Sequence, residues 1–160
     1  MKIKTFRDLL VWKLANELSY EISQLVKTFP KDEKFNLINQ LKRSSRSVPS
    51  NISEGWGRFH FNDKLSYYDR SLGSLEETEN HLIEARNNNY INEEKKQYFD
   101  KKILKIMVLL KRMIKNIIKA RDGYIVTKKF RREATVSARK RSFRPAKRDC
   151  FRPSGRSSSP

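Results

Sequence analysis

Gln40-Leu41-Lys42-Arg43-Ser44-Ser45-Arg46-Ser47-Val48-Pro49-Ser50-Asn51-Ile52-Ser53-Glu54-Gly55-Trp56-Gly57-Arg58 joins an apolar stripe, a cluster of cations and a central proline. At about 100° per residue, Ile38, Leu41, Ser45, Val48 and Ile52 fall on one narrow face. Asn39, Lys42, Arg43, Arg46, Glu54 and Arg58 fall on the other. One side suits a core, and the other offers donors to solvent or to an anion. Pro49 removes a backbone donor, crowds the Ser45 carbonyl and biases Val48 away from the helical region. Either the helix continues with a kink, or it breaks at Val48 and restarts with Pro49 in its first turn. The apolar stripe keeps its phase across the proline, which favours the kinked helix. Ser44, Ser45, Ser47, Ser50 and Ser53 are small enough to let a neighbouring helix approach closely, and that packing role outweighs a nucleophilic one.

On the N-terminal side, Val11, Leu14, Leu18, Ile22, Leu25 and Val26 recur at helical steps and predict a helix from about Thr5 to Phe29. Thr5 can cap it, Asp8 adds charge to its first turn, and Phe29-Pro30 ends it. The quoted stretch belongs to a second helix, from Asp32 or Glu33 to Gly57, with Asp32 as its cap. A third, about Asn62 to Asn88, carries Leu65, Tyr68, Leu72, Leu75, Leu82 and Ile83 as its stripe, and Glu76, Glu77, Glu79 and Glu84 make it acidic. Gly73 in its middle costs about 1 kcal/mol against alanine, which a close helix contact there would explain. Asn87-Asn88-Asn89 with Tyr90 reads as a turn. A fourth helix, about Asn92 to Ala120, has one clean apolar face. Opposite it lie Lys101, Lys105, Arg112, Lys115 and Lys119, with Lys111 at the edge. Val108 and Leu109 point away from the main stripe and could bury against another chain. Asp122-Gly123 closes the helix. The prediction is an all-α, antiparallel up-down-up-down four-helix bundle over 1–122, followed by a disordered basic C-terminal tail over 123–160.

The formal charge of +18 over 160 residues is unevenly spread. Residues 1–122 hold 24 Lys/Arg against 16 Asp/Glu, and residues 123–160 hold 12 against 2. Such a chain points to a polyanion, either nucleic acid or an acidic membrane. The membrane reading ranks low, because the apolar face of the fourth helix is better used in the bundle. Phe130, Phe143 and Phe151 interleave with basic residues in the tail, a pattern that can stack on bases. A single cysteine, Cys150, gives neither a disulfide nor a Cys-based metal site within one chain. No signal peptide or membrane span is evident, so a cytoplasmic protein is expected, and Asn51-Ile52-Ser53 is then a chance glycosylation match.

Catalytic patterns are missing. Neither His60 nor His81 follows a glutamate by three residues, as a di-iron bundle requires. No nucleophile elbow, phosphate loop or dinucleotide fingerprint occurs. Glu54, Glu76 and Glu79 could meet across the second and third helices, where salt bridges to Arg43, Arg46 or Arg58 outweigh acid–base chemistry. The chain is therefore read as non-enzymatic, with no cofactor and no metal.

Several motifs together resemble a known family. They are Phe6-x-x-Leu9-x-Val11-Trp12, Phe29-Pro30, Glu33-x-Phe35-x-Leu37-x-x-Gln40-Leu41-x-Arg43, Ser47 to Gly55 with Gly57-Arg58, and Gly73-Ser74-Leu75-Glu76-Glu77. Over residues 4–120 the chain is similar to the bacterial four-helix-bundle proteins first noted as reading frames inside 23S rRNA intervening sequences. Accessory proteins of diversity-generating retroelements share that fold and similar motifs. The resemblance implies a homopentamer of four-helix bundles, with nucleic acid and a reverse transcriptase as partners in the retroelement case. It implies no catalytic activity. Phosphate contacts are expected from Lys42, Arg43, Arg46 and Arg58, together with Lys101, Lys105, Arg112, Lys115 and Lys119. The competing expectation is an interaction scaffold, in which the arginines of the second helix bind the glutamates of the third.

Overall fold

In the computed structural model, which describes residues 3–142 and side chains over 3–132, the helix carrying Pro49 is unbroken. It is α2 (Leu37–Gly57), and it follows α1 (Leu10–Leu25) and precedes α3 (Phe61–Asn87) and α4 (Glu93–Ser142). The chain divides into two units, Met1–Asp122 and Gly123–Pro160. The first is the four-helix bundle, made of α1, α2, α3 and the part of α4 up to Asp122. No strand occurs among the described residues.

The bundle core follows the helical periodicity. Val11, Ala15, Leu18 and Ile22 of α1 meet Leu41, Val48 and Ile52 of α2, with Leu75 and Leu82 of α3 and Phe99, Ile103, Ile106 and Leu110 of α4. Burying one such large side chain fully contributes about 1.5–3 kcal/mol. Among the described residues α2 has α1 and α3 as its neighbours. α4 is tied to α1 through Lys102 and to α3 through Arg121, whose guanidinium donates to the Asn62 side chain at 3.4 Å. α2 and α4 are thus the diagonal pair.

α2 and α3 meet along a seam of small polar residues. Ser44, Ser45, Ser71 and Thr78 are buried. Ser71 donates to the Val48 carbonyl at 3.0 Å, Thr78 to the Ser44 hydroxyl at 3.0 Å, and Ser74 to the Ser47 hydroxyl at 2.8 Å. At Gly55 the packing leaves no room for a side chain, since a Cβ would lie 2.6 Å from Cε1 of the Tyr68 ring. Tyr68 is buried there, and burial pushes its phenol up to about 12. The expected close contact at Gly73 is not found, because a Cβ at that position meets nothing within 4 Å.

The helix ends depart from the sequence reading where local hydrogen bonds win. Asp8 accepts the backbone N–H groups of Lys4 and Thr5 at 2.9 Å, which lowers its pKa. Those bonds serve a 3₁₀ turn over Phe6–Asp8, while α1 itself begins after an extended Leu9. Asp32 does not cap α2. Lys31–Phe35 forms another 3₁₀ turn, and Glu33 receives the Leu37 N–H at 3.3 Å. Tyr90 pins this turn by donating to Glu33 at 2.9 Å while its ring meets Phe29 at 5.3 Å. The turn after α3 places Asn89 in the left-handed region at φ 59°, and the Tyr90 N–H reaches back to the Ala85 carbonyl at 2.9 Å.

α4 does not stop near Ala120. Gly123 takes no positive φ, so Asp122-Gly123 makes no left-handed cap, and the next proline is Pro145. The backbone accordingly stays helical to Ser142, which corrects the predicted end of the fourth helix. In the second unit Thr127 donates to the Gly123 carbonyl at 2.8 Å, and Tyr124, Ile125, Val126 and Phe130 are exposed. The remainder of the predicted tail, 143–160 with Phe143, Cys150 and Phe151, lies outside the described residues.

The two glycines should respond oppositely to a methyl group. Gly55→Ala is expected to lose about 1–3 kcal/mol through overpacking against Tyr68. Gly73→Ala is expected to gain up to about 1 kcal/mol from helix propensity. Urea unfolding of the two variants beside the parent checks both signs.

Candidate nucleic-acid interface

The five cations expected on the outer face of the fourth helix do lie together. Lys101, Lys105, Arg112, Lys115 and Lys119 are all exposed, opposite the buried Ile103, Ile106 and Leu110. At 1.5 Å per residue the row spans about 27 Å. Among the described residues none of the five has a carboxylate within 4.0 Å. Two apolar side chains sit within the same face, Leu104 at 60% and Val108 at 57% exposure. Leu109, by contrast, is half-buried against the core.

Other cations are matched within the fold. Lys102 reaches Glu17 at 2.8 Å and Glu21 at 2.5 Å. Partial burial works against its ammonium, but hydrogen bonds to Glu17, Glu21 and Tyr98 outweigh it and raise the Lys102 pKa. The same hydrogen bond from Lys102 lowers the Glu17 pKa. Lys96 pairs with Asp100 at 2.5 Å, Arg86 with Glu93 at 3.7 Å and Arg121 with Asp122 at 3.1 Å.

The α2 cations form a separate surface. Arg43 and Arg46 are exposed, Lys42 is half-buried, and none has a carboxylate within 4.0 Å among the described residues. Arg58 meets Glu54 of its own helix at 3.9 Å, donates to the Tyr67 hydroxyl and stacks 4.5 Å from the Tyr67 ring centre. The expected bridges from Arg43 and Arg46 to the glutamates of α3 do not form: neither guanidinium has a carboxylate within 4.0 Å among the described residues, although Arg43 and Glu77 line the same groove. Since α2 and α4 are diagonal, the nine expected cations divide between two surfaces.

One cation escaped the sequence reading. Arg70 of α3 shares a groove of about 490 Å³ with Arg43, Ser47, Asn51, Gly73, Ser74 and Glu77. The usable signal was Tyr67, Arg70, Ser74 and Glu77 at helical spacing, a polar row on α3 facing Arg43, Ser47 and Asn51 of α2.

His81 lies between Glu77 at 3.7 Å and Glu84 at 3.5 Å. Among the described residues no group of three or more His, Cys, Asp or Glu could hold a metal ion. No described helix is long and apolar enough to cross a membrane.

Comparison with known proteins places this bundle. Residues 7–112 match the model of the 23S rRNA-intervening sequence protein family. The chain belongs to that family. A similar solved structure is the 1.70 Å crystal structure of a protein of unknown function from the S23 ribosomal protein family of Bacteroides thetaiotaomicron VPI-5482. It is 26% identical, superposes with a TM-score of 0.62, and covers 66% of this chain and 96% of its own. No curated protein matches. Both matches rest on the bundle, and the 23S rRNA-intervening sequence family match ends before Lys115 and Lys119.

The Lys102 cluster makes stability pH-dependent in a defined sense. Glu17 has a lowered folded pKa, so its contribution is present above its ordinary 4.5 and is lost as pH falls through the lowered value. Lys102 has a raised pKa, so its contribution is present below 10.5 and is lost as pH rises through the folded value. Lys102→Met is expected to flatten both limbs of a plot of urea midpoint against pH, with the parent losing stability more steeply in acid.

Proposed function

We propose that the protein is a non-enzymatic, homo-oligomeric nucleic-acid-binding protein that holds RNA or DNA backbone phosphates on the outer face of α4. The observation carrying this reading is the row of five exposed cations with no carboxylate within 4.0 Å among the described residues, in a fold that pairs Lys96, Lys102 and Arg86. Lys101/Lys105 and Lys115/Lys119 stand four residues apart and repel one another weakly. A polyanion laid along the row turns that repulsion into attraction and releases its counterions. Lysines supply such contacts as point charges, giving affinity without reading sequence. The pentamer implied by family resemblance would repeat the row and multiply weak contacts. A cytoplasmic location fits both partners.

The exposed Leu104 and Val108 within the row support a second reading. Apolar side chains among cations suit a protein partner, which makes the chain a scaffold, with a reverse transcriptase as the partner in a retroelement setting. The two readings separate on salt.

Affinity of the full chain for a short structured RNA should fall linearly with salt on logarithmic axes. Replacing Lys105, Arg112 and Lys115 together by glutamine should reduce the slope by about 2–3, as expected for three lost phosphate contacts. Anisotropy titrations at four salt concentrations, with light-scattering mass to count subunits, measure both. An unchanged slope in the triple variant sinks the α4 assignment, and RNA binding absent at low salt leaves the scaffold.

A further inference from the structure

The α2–α3 groove lies apart from the α4 face. α2 and α3 run antiparallel with Ser47 against Ser74 and Ser44 against Thr78. Arg43 therefore stands at the level of Thr78, and Arg70 at the level of Asn51. The two arginines line the groove with about 12 Å of helix between their levels, and the Arg70 guanidinium lies 5.2 Å from the Tyr67 ring centre.

Its floor has a donor to spare. Ser44, Ser71 and Thr78, deeper in the seam, all give their hydroxyl protons to acceptors inside the fold. Ser47 and Ser74 share a single bond of 2.8 Å. Two hydroxyls have two protons, so one is left without an acceptor among the described residues, whichever serine is taken as donor. Asn51 closes the alternative, since its amide already donates to both the hydroxyl and the carbonyl of Ser47 at 2.9 Å. The floor thus keeps one hydroxyl proton to give outward, beside the acceptor oxygens Ser74 Oγ and Asn51 Oδ1.

Gly73 opens the wall. It lies mid-helix and exposed, nothing in the fold lies within 4 Å of its missing Cβ, and it lines this groove. A side chain there would stand in the space between the arginines. Glu77 also lines the groove, at the Arg43 end, and leaves the stretch between Ser74 and Arg70 free of carboxylates.

We propose that this groove binds phosphate oxyanions, one held at each arginine with the Ser47/Ser74 hydroxyl donating between them. Guanidinium forks suit phosphate oxygens bidentately, and a hydroxyl donor fixes the oxygen between. The phosphates belong either to a soluble polyphosphate or to the backbone of a nucleic-acid strand. The inference does not rest on the α4 reading.

The test titrates the full chain with inorganic tripolyphosphate, and separately with a short unstructured oligoribonucleotide lacking terminal phosphates, following backbone amides by NMR. Tripolyphosphate is expected to shift Ser47, Asn51, Gly73 and Ser74. Arg43→Gln with Arg70→Gln should weaken it at least tenfold. Gly73→Leu should block it with a melting temperature no lower than the parent's, which separates blockage from misfolding. The Lys105, Arg112 and Lys115 glutamine variant should bind tripolyphosphate as the parent does, so failure of one site is distinguishable from failure of the other. If the oligonucleotide shifts the same amides, the source is a strand backbone, and if only tripolyphosphate does, the source is soluble; both support the groove. No tripolyphosphate shift at Ser47, Asn51, Gly73 and Ser74, undiminished shifts at Ser47, Asn51 and Ser74 in Gly73→Leu, or a poly-glutamate peptide shifting these amides at the same concentration as tripolyphosphate would each overturn the proposal.

Discussion

The close approach of α2 to α3 governs the bundle. The seam is filled by small buried side chains, Ser44, Ser45, Ser71 and Thr78, and at Gly55 the missing side chain makes room for the Tyr68 ring of α3. Hydroxyls placed there must find acceptors, since an unpaired buried polar group costs about 1–3 kcal/mol. They find them across the seam, at the Val48 carbonyl and the Ser44 hydroxyl. Those bonds set the register, because sliding one helix by a turn would strand several hydroxyls at once. Register then fixes the rest. Tyr68 lies over Gly55, and the three residues between α2 and α3 suffice to reverse the chain.

The opposite edge of the bundle uses charge instead. Lys102 of α4 joins Glu17 and Glu21 of α1, partly buried, with Tyr98 beside it. Cations inside the bundle's own contacts are thus neutralised, and those on the solvent face of α4 are not. That division is more informative than the total of +18, because charge needed for cohesion and charge offered to a partner are separated by where the carboxylates sit.

Much of this was legible in the chain. Apolar periodicity located all four helices, since burial of a single face leaves a repeat that survives without knowledge of partners. Phase across Pro49 told that α2 continues, and the serines told that something packs closely. Ends were less legible. Thr5 and Asp32 looked like ordinary caps of α1 and α2, but 3₁₀ turns intervene before both helices, and such turns depend on contacts such as Tyr90 with Glu33. Asp122-Gly123 looked like a terminus, but a glycine stops a helix only if it takes the left-handed conformation, and Gly123 does not. For the candidate sites, the α4 row was readable because one helix contains it. The α2 cations were expected to contact phosphate together with that row, and the fold places them on a separate surface, as the diagonal placement of α2 and α4 in an up-down-up-down bundle requires. Arg70 was missed because its companions lie on another helix.

The two basic surfaces differ in kind as well as place. The α4 row is mostly lysine, flexible and strongly hydrated, and its spacing follows the helix rather than any ligand. The groove has arginines, a hydroxyl proton with no acceptor among the described residues, and a glycine whose missing Cβ meets none of them within 4 Å. A row of the first kind responds to charge density, so its affinity depends on ionic strength and little on which polyanion is offered. A groove of the second kind responds to geometry, so it discriminates phosphate from carboxylate at equal charge. Their positions rule out treating them as one patch, because the groove opens between α2 and α3 while the row lies on the helix diagonal to α2. A single long strand could reach both only by passing around α3 or α1, or by running between copies in an oligomer. The proposed row and the proposed groove would therefore hold phosphate in two modes, one set by field and one by fit.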